Sequence, residues 1–496
     1  MISFSLSLTS FIALILLRCI YLKYFHALSR YPGPFIASFT NLWRTIRFAK
    51  VDLHLDTDDL HAKYGSIVRF GPNSLSFSSV EAYDAIYGFS ARGFKKGSSY
   101  DFARNKATGR TTVFAAADDA THREHRRKTI IAFGNRVPAY APVIKKHVEA
   151  LIERMKRFTR EDGVVDIPGL LHRFLLNALF DTSFARELPV ALPTPGEVDT
   201  LSQGFHMVSA SIFTSSWLPW LNWVLNTGTV QKMIQKPKYE SNGTLVPLSR
   251  FFQSAEQIIA QNQPALETNT KSQPSILQNY LAVPENDSRR MTEPQINIEA
   301  INLIFAGQGS ATAALTSILW QLGLPAGRPW PQKIRAADTR EAAFEAVVRE
   351  TLRFLPPFPT GFPRDITRET QTAIPGILAP LPVGTEVSVN YWLLCRSKEL
   401  FGQDADLWDP NRWLLNALDR ESELQVDHVL DEKFLVFGRG PRACLGQDFA
   451  RLVIREVVIA VLERWEIEAV GELKGKNVFE SRSDKAEVRL RELQVT

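Results

Sequence analysis

The 496-residue chain has few cysteines and none of the spacings that give cysteine a structural role. Cys19, Cys395 and Cys444 are its only cysteines. An odd number of cysteines with no C-x-x-C pair argues against both a disulfide framework and a zinc site. A function for any one of them has to come from the residues around it.

The chain also lacks a strong charge bias, internal repeats and low-complexity linkers. Lysine and arginine number 58 against 53 aspartates and glutamates, and 45% of the residues are hydrophobic. No nucleic-acid-binding motif accompanies this modest positive charge, so we expect no nucleic acid partner. Length alone would allow several domains, but the absence of linkers predicts a single catalytic domain over residues 36–496.

The N-terminal segment is apolar. Residues 2–17 carry no charged side chain, and Arg18 is the first interruption. A bilayer span needs about 20 predominantly apolar residues, so we predict a transmembrane anchor over residues 1–22 and a basic, proline-rich linker over residues 23–35. The basic side chains follow the anchor, which predicts a cytosolic catalytic domain. A cleavable signal peptide is the alternative, but neither a basic leading region nor a small-residue cleavage site is present.

The most informative motif lies near the C-terminus and has the form F-x-x-G-x-R-x-C-x-G. It is met at Phe437, Gly440, Arg442, Cys444 and Gly446. Glycine permits a tight bend at position 440, and a guanidinium at position 442 can bind a carboxylate through two hydrogen bonds. A cysteine thiolate bound to haem iron favours O–O cleavage. A buried free cysteine in a glycine-rich turn is the plainer interpretation.

One helix is predicted after that motif, over residues 447–465, and two are predicted upstream of it. An apolar period over residues 342–355 ends at a proline pair and carries Glu350 and Arg353 on one face. Residues 296–322 form the longest apolar helical pattern, with Ala306 and Gly307 near its centre. Glycine inside a helix costs about 1 kcal/mol relative to alanine, which indicates a bend or a close approach by a ligand.

In this order the motifs resemble the cytochrome P450 superfamily of haem-thiolate enzymes. The order is the 296–322 helix, E-x-x-R at Glu350 to Arg353, the Pro410-Asn411-Arg412-Trp413 segment, and the cysteine motif. Segments such as Tyr31-Pro32-Gly33-Pro34 resemble filamentous-fungal members similar to the pisatin demethylase group. The resemblance implies a mainly α fold with small β-sheets. Strand-like runs at residues 66–69, 74–78 and 386–390 agree with it.

The resemblance also implies roles for individual residues. It assigns haem b as cofactor and Cys444 as the iron ligand. It places Phe437, Gly440 and Gly446 around the ring, and it makes Glu350, Arg353 and Arg412 a buried network that braces the cysteine loop. The resemblance implies propionate contacts from Arg126, Arg364 and Arg442, and it places His122 at the cofactor-binding position where the family has a tryptophan.

Two departures from the family pattern concern the distal helix and the stretch after it. The family's A-G-x-D/E-T segment is matched by Ala306 and Gly307, but Gly309 replaces the acid and Ser310 replaces the threonine. Ser310 can still hold a water for proton delivery, whereas Thr312, about 200° further round the helix, faces elsewhere. Between residues 322 and 350 the chain has room for only one short helical segment, near residues 332–337, where the family has two helices.

The function implied is a monooxygenase of the endoplasmic reticulum membrane that oxidises a lipophilic secondary metabolite with O2. Electrons would come from NADPH through NADPH-cytochrome P450 reductase. That partner would dock on a basic patch formed by Arg126, Arg127, Lys128, Arg439, Arg442, Arg451 and Arg455. Two alternatives remain open: an isomerase or dehydratase that works without reductase, favoured by Gly309, and a non-catalytic haem-binding or misfolded product, favoured by the short 322–350 stretch.

Overall fold

The computed structural model describes most of the chain. The described residues are 2–50, 53–105, 110–188, 190, 199–205, 217–218, 253, 257–258, 275–367, 374–377, 379–415, 424–477 and 480–493.

Helices dominate this part of the chain. In chain order they are α1 (Ile2–Ile20), α2 (Leu42–Ala49), α3 (Leu53–Tyr64), α4 (Val80–Tyr87), α5 (Asp119–Thr129), α6 (Ala141–Phe158), α7 (Pro168–Phe184), α8 (Ile276–Leu281), α9 (Glu293–Gly323), α10 (Trp330–Arg335), α11 (Arg340–Phe354), α12 (Tyr391–Cys395), α13 (Lys398–Phe401) and α14 (Gln447–Leu462). Short 3-10 turns at Pro410–Trp413 and Gly440–Arg442 fall on two of the sequence motifs. The predicted mainly α class is confirmed.

The strands form small sheets. They are β1 (Ile67–Gly71), β2 (Ser74–Phe77), β3 (Phe94–Lys95), β4 (Arg104–Asn105), β5 (Arg110–Thr111), β6 (Val164–Asp166), β7 (Arg364–Ile366), β8 (Glu386–Val389), β9 (Trp465–Asn477) and β10 (Ser481–Glu492). One sheet has the order β1-β2-β8-β7-β3, another has β6-β10-β9, and β4 pairs with β5. In the first sheet β2 runs parallel to β8, with Ser74 opposite Glu386. In the second, β9 and β10 form a long antiparallel hairpin with Trp465 opposite Glu492.

Helix α9 is the centre of the core. A capping box at its start pairs the side chain of Thr292 with the Gln295 backbone and the Gln295 side chain with the Thr292 backbone, which satisfies N–H groups that a helix start leaves unpaired. From Ala311 to Gly323 every residue is buried. The main hydrophobic core joins α9 to residues of α6, α7, α11 and α14. A helix that is apolar on all sides belongs inside a large core.

The predicted elements agree with the structure except at one boundary and in one large omission. The two upstream helices and the three strand-like runs are confirmed, in α9, α11, β1, β2 and β8. The helix after Cys444, expected to reach Trp465, ends at Leu462, and Trp465 begins β9. The β9–β10 hairpin was not predicted, because its strands carry many charged residues on faces that point to solvent.

The short connection between α9 and α11 is packed against the core. Trp330 and Ile334 of α10 are buried. Arg335 donates hydrogen bonds from Nε to the Leu462 carbonyl at 2.7 Å and from Nη2 to the Trp465 carbonyl at 2.9 Å. The Leu462 carbonyl lies at the end of α14, where helix geometry leaves it without a partner, and the Trp465 carbonyl lies at the start of β9. The connection therefore caps a neighbouring helix. Although it is short, the stretch between residues 322 and 350 packs as part of the fold.

The apolar side chains of α1 point outwards from the rest of the molecule. Phe11, Leu14, Leu17 and Ile20 are exposed. The described part of the chain contains one helix, α9, that is long and apolar enough to cross a bilayer, and 72% of its most apolar stretch is buried. Since α9 is the core helix, its apolar character is explained by the fold.

The packing of α10 leads to a stability prediction. Replacing Trp330 by alanine removes a large side chain that is only 3% exposed, which typically costs about 3–5 kcal/mol. We expect Trp330→Ala to lower the urea midpoint of the haem-loaded protein strongly. Gln332→Ala, on the exposed side of the same helix, should leave it nearly unchanged. Equal midpoints for the two variants would contradict the packing described for this connection.

Candidate functional site

A backbone hydrogen bond and a glycine shape the cysteine loop, residues 437–446. The Cys444 N–H donates to the Phe437 carbonyl at 2.7 Å, which closes the loop just before α14 begins. Gly440 has a φ of 76°, and a Cβ there would lie 2.6 Å from the Tyr87 carbonyl oxygen. Only glycine fits both the conformation and the space, as the sequence predicted.

Cys444 lines a cavity of about 520 Å³. The residue has a large accessible surface, yet it is enclosed by protein on the side of bulk solvent, so its exposure is to the cavity. Burial raises the pKa of the Cys444 thiol, while the Gly446 N–H and the Arg126 guanidinium favour the thiolate. A bound metal cation would outweigh the burial effect, because a coordinating thiol is deprotonated outright.

Arginine side chains gather at one end of this cavity. Arg126 donates to the Ala443 carbonyl at 2.8 Å, so it is fixed to the cysteine loop itself. Arg442 donates to the Ala116 carbonyl at 2.9 Å and forms an ion pair with Asp119 at 3.0 Å. Arg364 is buried and donates to the Tyr100 hydroxyl at 2.8 Å. The structure thus brings together three arginines that lie far apart in the sequence.

Two further titratable groups join them, and both are electrostatically strained. The pKa of Lys96 is held well below its usual range by burial and by the positive charges of Arg364, Arg442 and Arg104. Burial and the positive charges of Arg442 and Lys96 lower the pKa of His122 to about 3. His122 is therefore neutral at physiological pH and can act as a hydrogen-bond donor or acceptor, not as a cation.

This charge arrangement fits the propionate groups of a haem. Among the described residues that line this end, Asp119 is the one carboxylate in reach of the arginines, and it pairs with Arg442. Buried cations without enough counter-charge are costly unless anions complete the site. A Cβ built on Gly446 would meet nothing within 4 Å, so open space lies beside the thiol where a flat ring would sit. The residues present therefore fit a haem bound through Cys444.

Sequence reasoning missed Lys96 and Tyr100. Lys96 is 6% exposed, and its ammonium group donates to the Phe114 carbonyl. Tyr100 is the hydrogen-bond partner of Arg364 and is also buried. Neither belongs to a motif, and a lysine next to Lys95 and Gly97 is indistinguishable in sequence from an ordinary surface lysine. Their role depends on the fold that places them beside the arginines.

The opposite wall of the cavity comes from α9. Ala306, Gly307 and Ser310 all line it, as does Phe305. The Ser310 hydroxyl donates to the Ala306 carbonyl at 2.8 Å, which leaves the oxygen lone pairs directed towards the cavity for a water. Thr312 is buried and donates to the Gln308 carbonyl at 2.6 Å, away from this wall.

Aromatic and aliphatic side chains cover most of the remaining wall. The lining residues of this kind include Ile301, Phe305, Phe114, Phe358 and Phe362. Apolar walls with a few polar groups are typical of sites for small organic ligands. The cavity therefore suits a lipophilic molecule held above the haem plane.

Behind the cysteine loop, one buried carboxylate organises three chain segments. Glu350 accepts hydrogen bonds from Arg353 at 2.7 and 2.8 Å and from Arg412 at 3.3 Å. It also accepts from the Trp413 indole N–H at 2.9 Å and from the Asp409 backbone N–H at 2.8 Å. Arg353 in turn donates to the Ala405 carbonyl at 2.7 Å. The structure brings Glu350, Arg353 and Arg412 together in the arrangement that the resemblance implied.

The predicted basic patch needs correction. Arg126 and Arg442 point inwards to the cavity. Most of the other members of the predicted patch are engaged by acidic side chains on the surface, as in the pairs Lys128–Glu124, Arg439–Asp84, Arg451–Glu345 and Arg455–Glu341. The sequence could not show these partners, because three of the four lie more than 100 positions away. Of the predicted patch, Arg127 remains exposed on the outer side of α5.

The fold and the site define a haem-thiolate protein, and comparison with known proteins identifies the family. The cytochrome P450 family model matches residues 32–324 and 343–486. The chain therefore belongs to the cytochrome P450 family, and it is a monooxygenase of that family with a haem-iron cofactor. The unmatched interval, 325–342, coincides with the shortened connection that contains α10.

The curated relatives are fungal. Cytochrome P450 monooxygenase cicH of Emericella nidulans is 28% identical over 482 residues, covering 92% of each chain. Cytochrome P450 monooxygenase AMT3 of Alternaria alternata is 28% identical over 480 residues, again covering 92% of each chain. Cytochrome P450 monooxygenase ABA2 of Pyricularia oryzae is 28% identical over 486 residues, covering 92% of this chain and 87% of the relative.

The Glu350 network leads to a prediction about haem retention. Removing one partner of a buried ion pair typically costs about 3–5 kcal/mol, because the other charge is left unpaired. We expect Arg353→Ala to be purified with little haem and a lowered thermal midpoint. Arg455→Ala is the matched control, since its pair with Glu341 lies at the surface and such pairs contribute about 1 kcal/mol or less. Normal haem content in Arg353→Ala would show that the network does not hold the cysteine loop.

Proposed function

We propose that the protein is a membrane-anchored monooxygenase that oxidises a lipophilic small molecule in fungal secondary metabolism. It would use haem b, O2 and electrons that reach it from NADPH through NADPH-cytochrome P450 reductase. The observation that carries this proposal is that Cys444 lines a largely apolar cavity that Ala306, Gly307 and Ser310 of α9 also line.

Each group of residues in the site has its own role in holding the haem. Cys444 would hold the haem iron, and Phe437, Gly440 and Gly446 shape the loop beside it. Arg126, Arg364 and Arg442, with neutral His122, would hold the propionates. Haem iron bound through a thiolate supplies the activation of O2 with O–O cleavage. Haem b is the appropriate form, since the chain has no C-x-x-C-H sequence for covalent attachment.

On the side of the cavity formed by α9, the site has to orient the substrate and deliver protons. The aromatic wall around Phe305 and Phe362 excludes water and favours a lipophilic substrate. Gly307 lets the Leu179 side chain pack closely against α9, since a Cβ there would lie 3.1 Å from a Leu179 methyl carbon. Ser310 would hold a water at the point where a proton is needed, a role that depends on position more than on acidity.

Docking of the reductase is proposed on the outer side of α5. Arg123 and Arg127 are exposed there, whereas His122 and Arg126 on the inner side line the cavity. An acidic electron donor bound at this surface would therefore lie within one helix diameter of the propionate end. Electrostatic steering by the exposed arginines would speed this association at low ionic strength.

The exposed apolar surface of α1 supports the membrane anchor. Its outward side chains, among them Phe11, Leu14 and Leu17, are exposed in the described part of the chain and suit a lipid environment. With the basic Lys23 and Arg30 following, residues 1–22 would span the endoplasmic reticulum membrane once. Residues 23–35 would connect this anchor to a cytosolic catalytic domain over residues 36–496.

Isotope labelling tests the proposed reaction against its main alternative. We expect product formation from a lipophilic substrate to require NADPH and reductase, and the product to carry one oxygen atom from labelled O2. An isomerase or dehydratase would convert its substrate at full rate without reductase and without incorporating label. That second outcome, in protein with a full haem content, would overturn the monooxygenase proposal.

A further inference from the structure

A carboxylate from a distant part of the chain fills the space beside Gly309. A Cβ built on Gly309 would overlap the carboxylate group of Glu480. Gly309 is the position at which the family's distal helix normally carries an acid. The side chain missing from α9 is thus replaced, in the same place, by a carboxylate that belongs to another element.

Glu480 is held there by the β9–β10 hairpin. It immediately precedes β10 and is 4% exposed. The next residue, Ser481, donates from its backbone N–H to the Pro357 carbonyl at 2.7 Å and from its hydroxyl to the Pro356 carbonyl at 2.9 Å. These two bonds fix the end of the hairpin to the segment that follows α11, so the carboxylate is held against α9 by backbone anchors.

Glu480 lies between two cavities. It lines the large cavity together with Ser310 and Cys444. It also lines a second cavity of about 200 Å³, whose other walls include His172, Thr312 and Arg482. Most of the residues that line this second cavity, here called the polar cavity, are polar or charged, and Asp166, Gly169 and Gln203 at its border are exposed to solvent.

The faces of α9 explain this position. Ser310 faces the large cavity, while Thr312 and Gly309 face the polar one. Any side chain at position 309 would separate Glu480 from the helix. Because position 309 is glycine, the carboxylate can approach the α9 backbone and reach both sides of the wall.

We propose that Glu480 is the acid of the proton relay, working with Ser310 in place of the acid missing at Gly309. This inference rests on the proposed monooxygenase function. Glu480 gives a proton to a water held at Ser310 and regains one from solvent through the polar cavity, so its carboxyl group returns to its starting state in each turnover. The catalytic group thus comes from the C-terminal hairpin, and α9 supplies the hydroxyl.

The first test removes the acid without changing its size. General acid groups typically contribute 10²–10⁴-fold to a rate. We therefore expect Glu480→Gln to form product roughly 10²-fold more slowly, with NADPH consumption continuing and ending in peroxide. Glu472→Gln, an exposed position on the same hairpin, should behave as wild type. Wild-type coupling of NADPH to product in Glu480→Gln would overturn the proposal.

The second test moves the acid onto the helix. Gly309→Asp alone should be impaired, because the new side chain and Glu480 compete for one space. In the double variant Gly309→Asp, Glu480→Ala that space is free, and we expect coupling to recover well above that of Glu480→Ala. A purely structural role for Glu480 predicts no recovery, and that result would contradict the relay.

A third test is a spectroscopic measurement that does not depend on substrate turnover. In reduced protein with bound carbon monoxide, the CO stretching band reports on polar groups in the wall opposite the cysteine. We expect this band to shift in Glu480→Gln and to stay unchanged in Glu472→Gln. If the band shifts in Glu480→Gln but the wild-type product carries no label, the proposed monooxygenase function is contradicted. The position of Glu480 in the cavity wall is still supported in that case. An unshifted band with labelled product would contradict the Glu480 proposal alone.

Discussion

The buried carboxylate of Glu350 is the interaction on which the rest of the site depends. It receives donors from α11, from the Pro410–Trp413 turn and from the backbone at Asp409, so a single charge aligns segments that precede the cysteine loop. A buried charge is tolerated only when its hydrogen-bonding capacity is fully used. Because all of these donors are required together, the region can adopt few other arrangements. The Trp413 ring contacts Phe434, and Phe434 contacts Phe437 at the start of the cysteine loop, so this rigidity reaches the loop through packed aromatic rings.

The second constraint is positive charge. Arg126, Arg364, Arg442 and Lys96 converge at one end of the cavity with Asp119 as their acidic neighbour. Burial, and then the neighbouring positive charges, lower the pKa values of Lys96 and His122. Two propionates would relieve this repulsion. Haem binding would therefore supply negative charge to this group of cations as well as iron to Cys444. We expect folding and haem capture to be coupled.

Much of this arrangement could be predicted from the sequence, and what was missed has a physical cause. The cysteine motif, the E-x-x-R pair and the long apolar helix are local patterns, and local patterns determine helices and turns. Lys96, Tyr100 and Glu480 act only through contacts made across the fold, and no local pattern distinguishes them from surface residues. The basic patch was wrong for the same reason, since ion pairs such as Arg451–Glu345 join distant segments. In the sequence Gly309 indicated only that the usual acid is absent, whereas in the structure it makes room for a carboxylate from the hairpin.

The absorption spectrum of the reduced, carbon monoxide-bound protein tests the central claim, that Cys444 binds haem iron as a thiolate. We expect the wild-type protein to show the strongly red-shifted Soret band of thiolate ligation. Cys444→Ser should lose that band, and Cys395→Ser, which replaces a buried cysteine outside the site, should keep it. A histidine-type band in active wild-type protein, or an unchanged thiolate band in Cys444→Ser, would contradict the account.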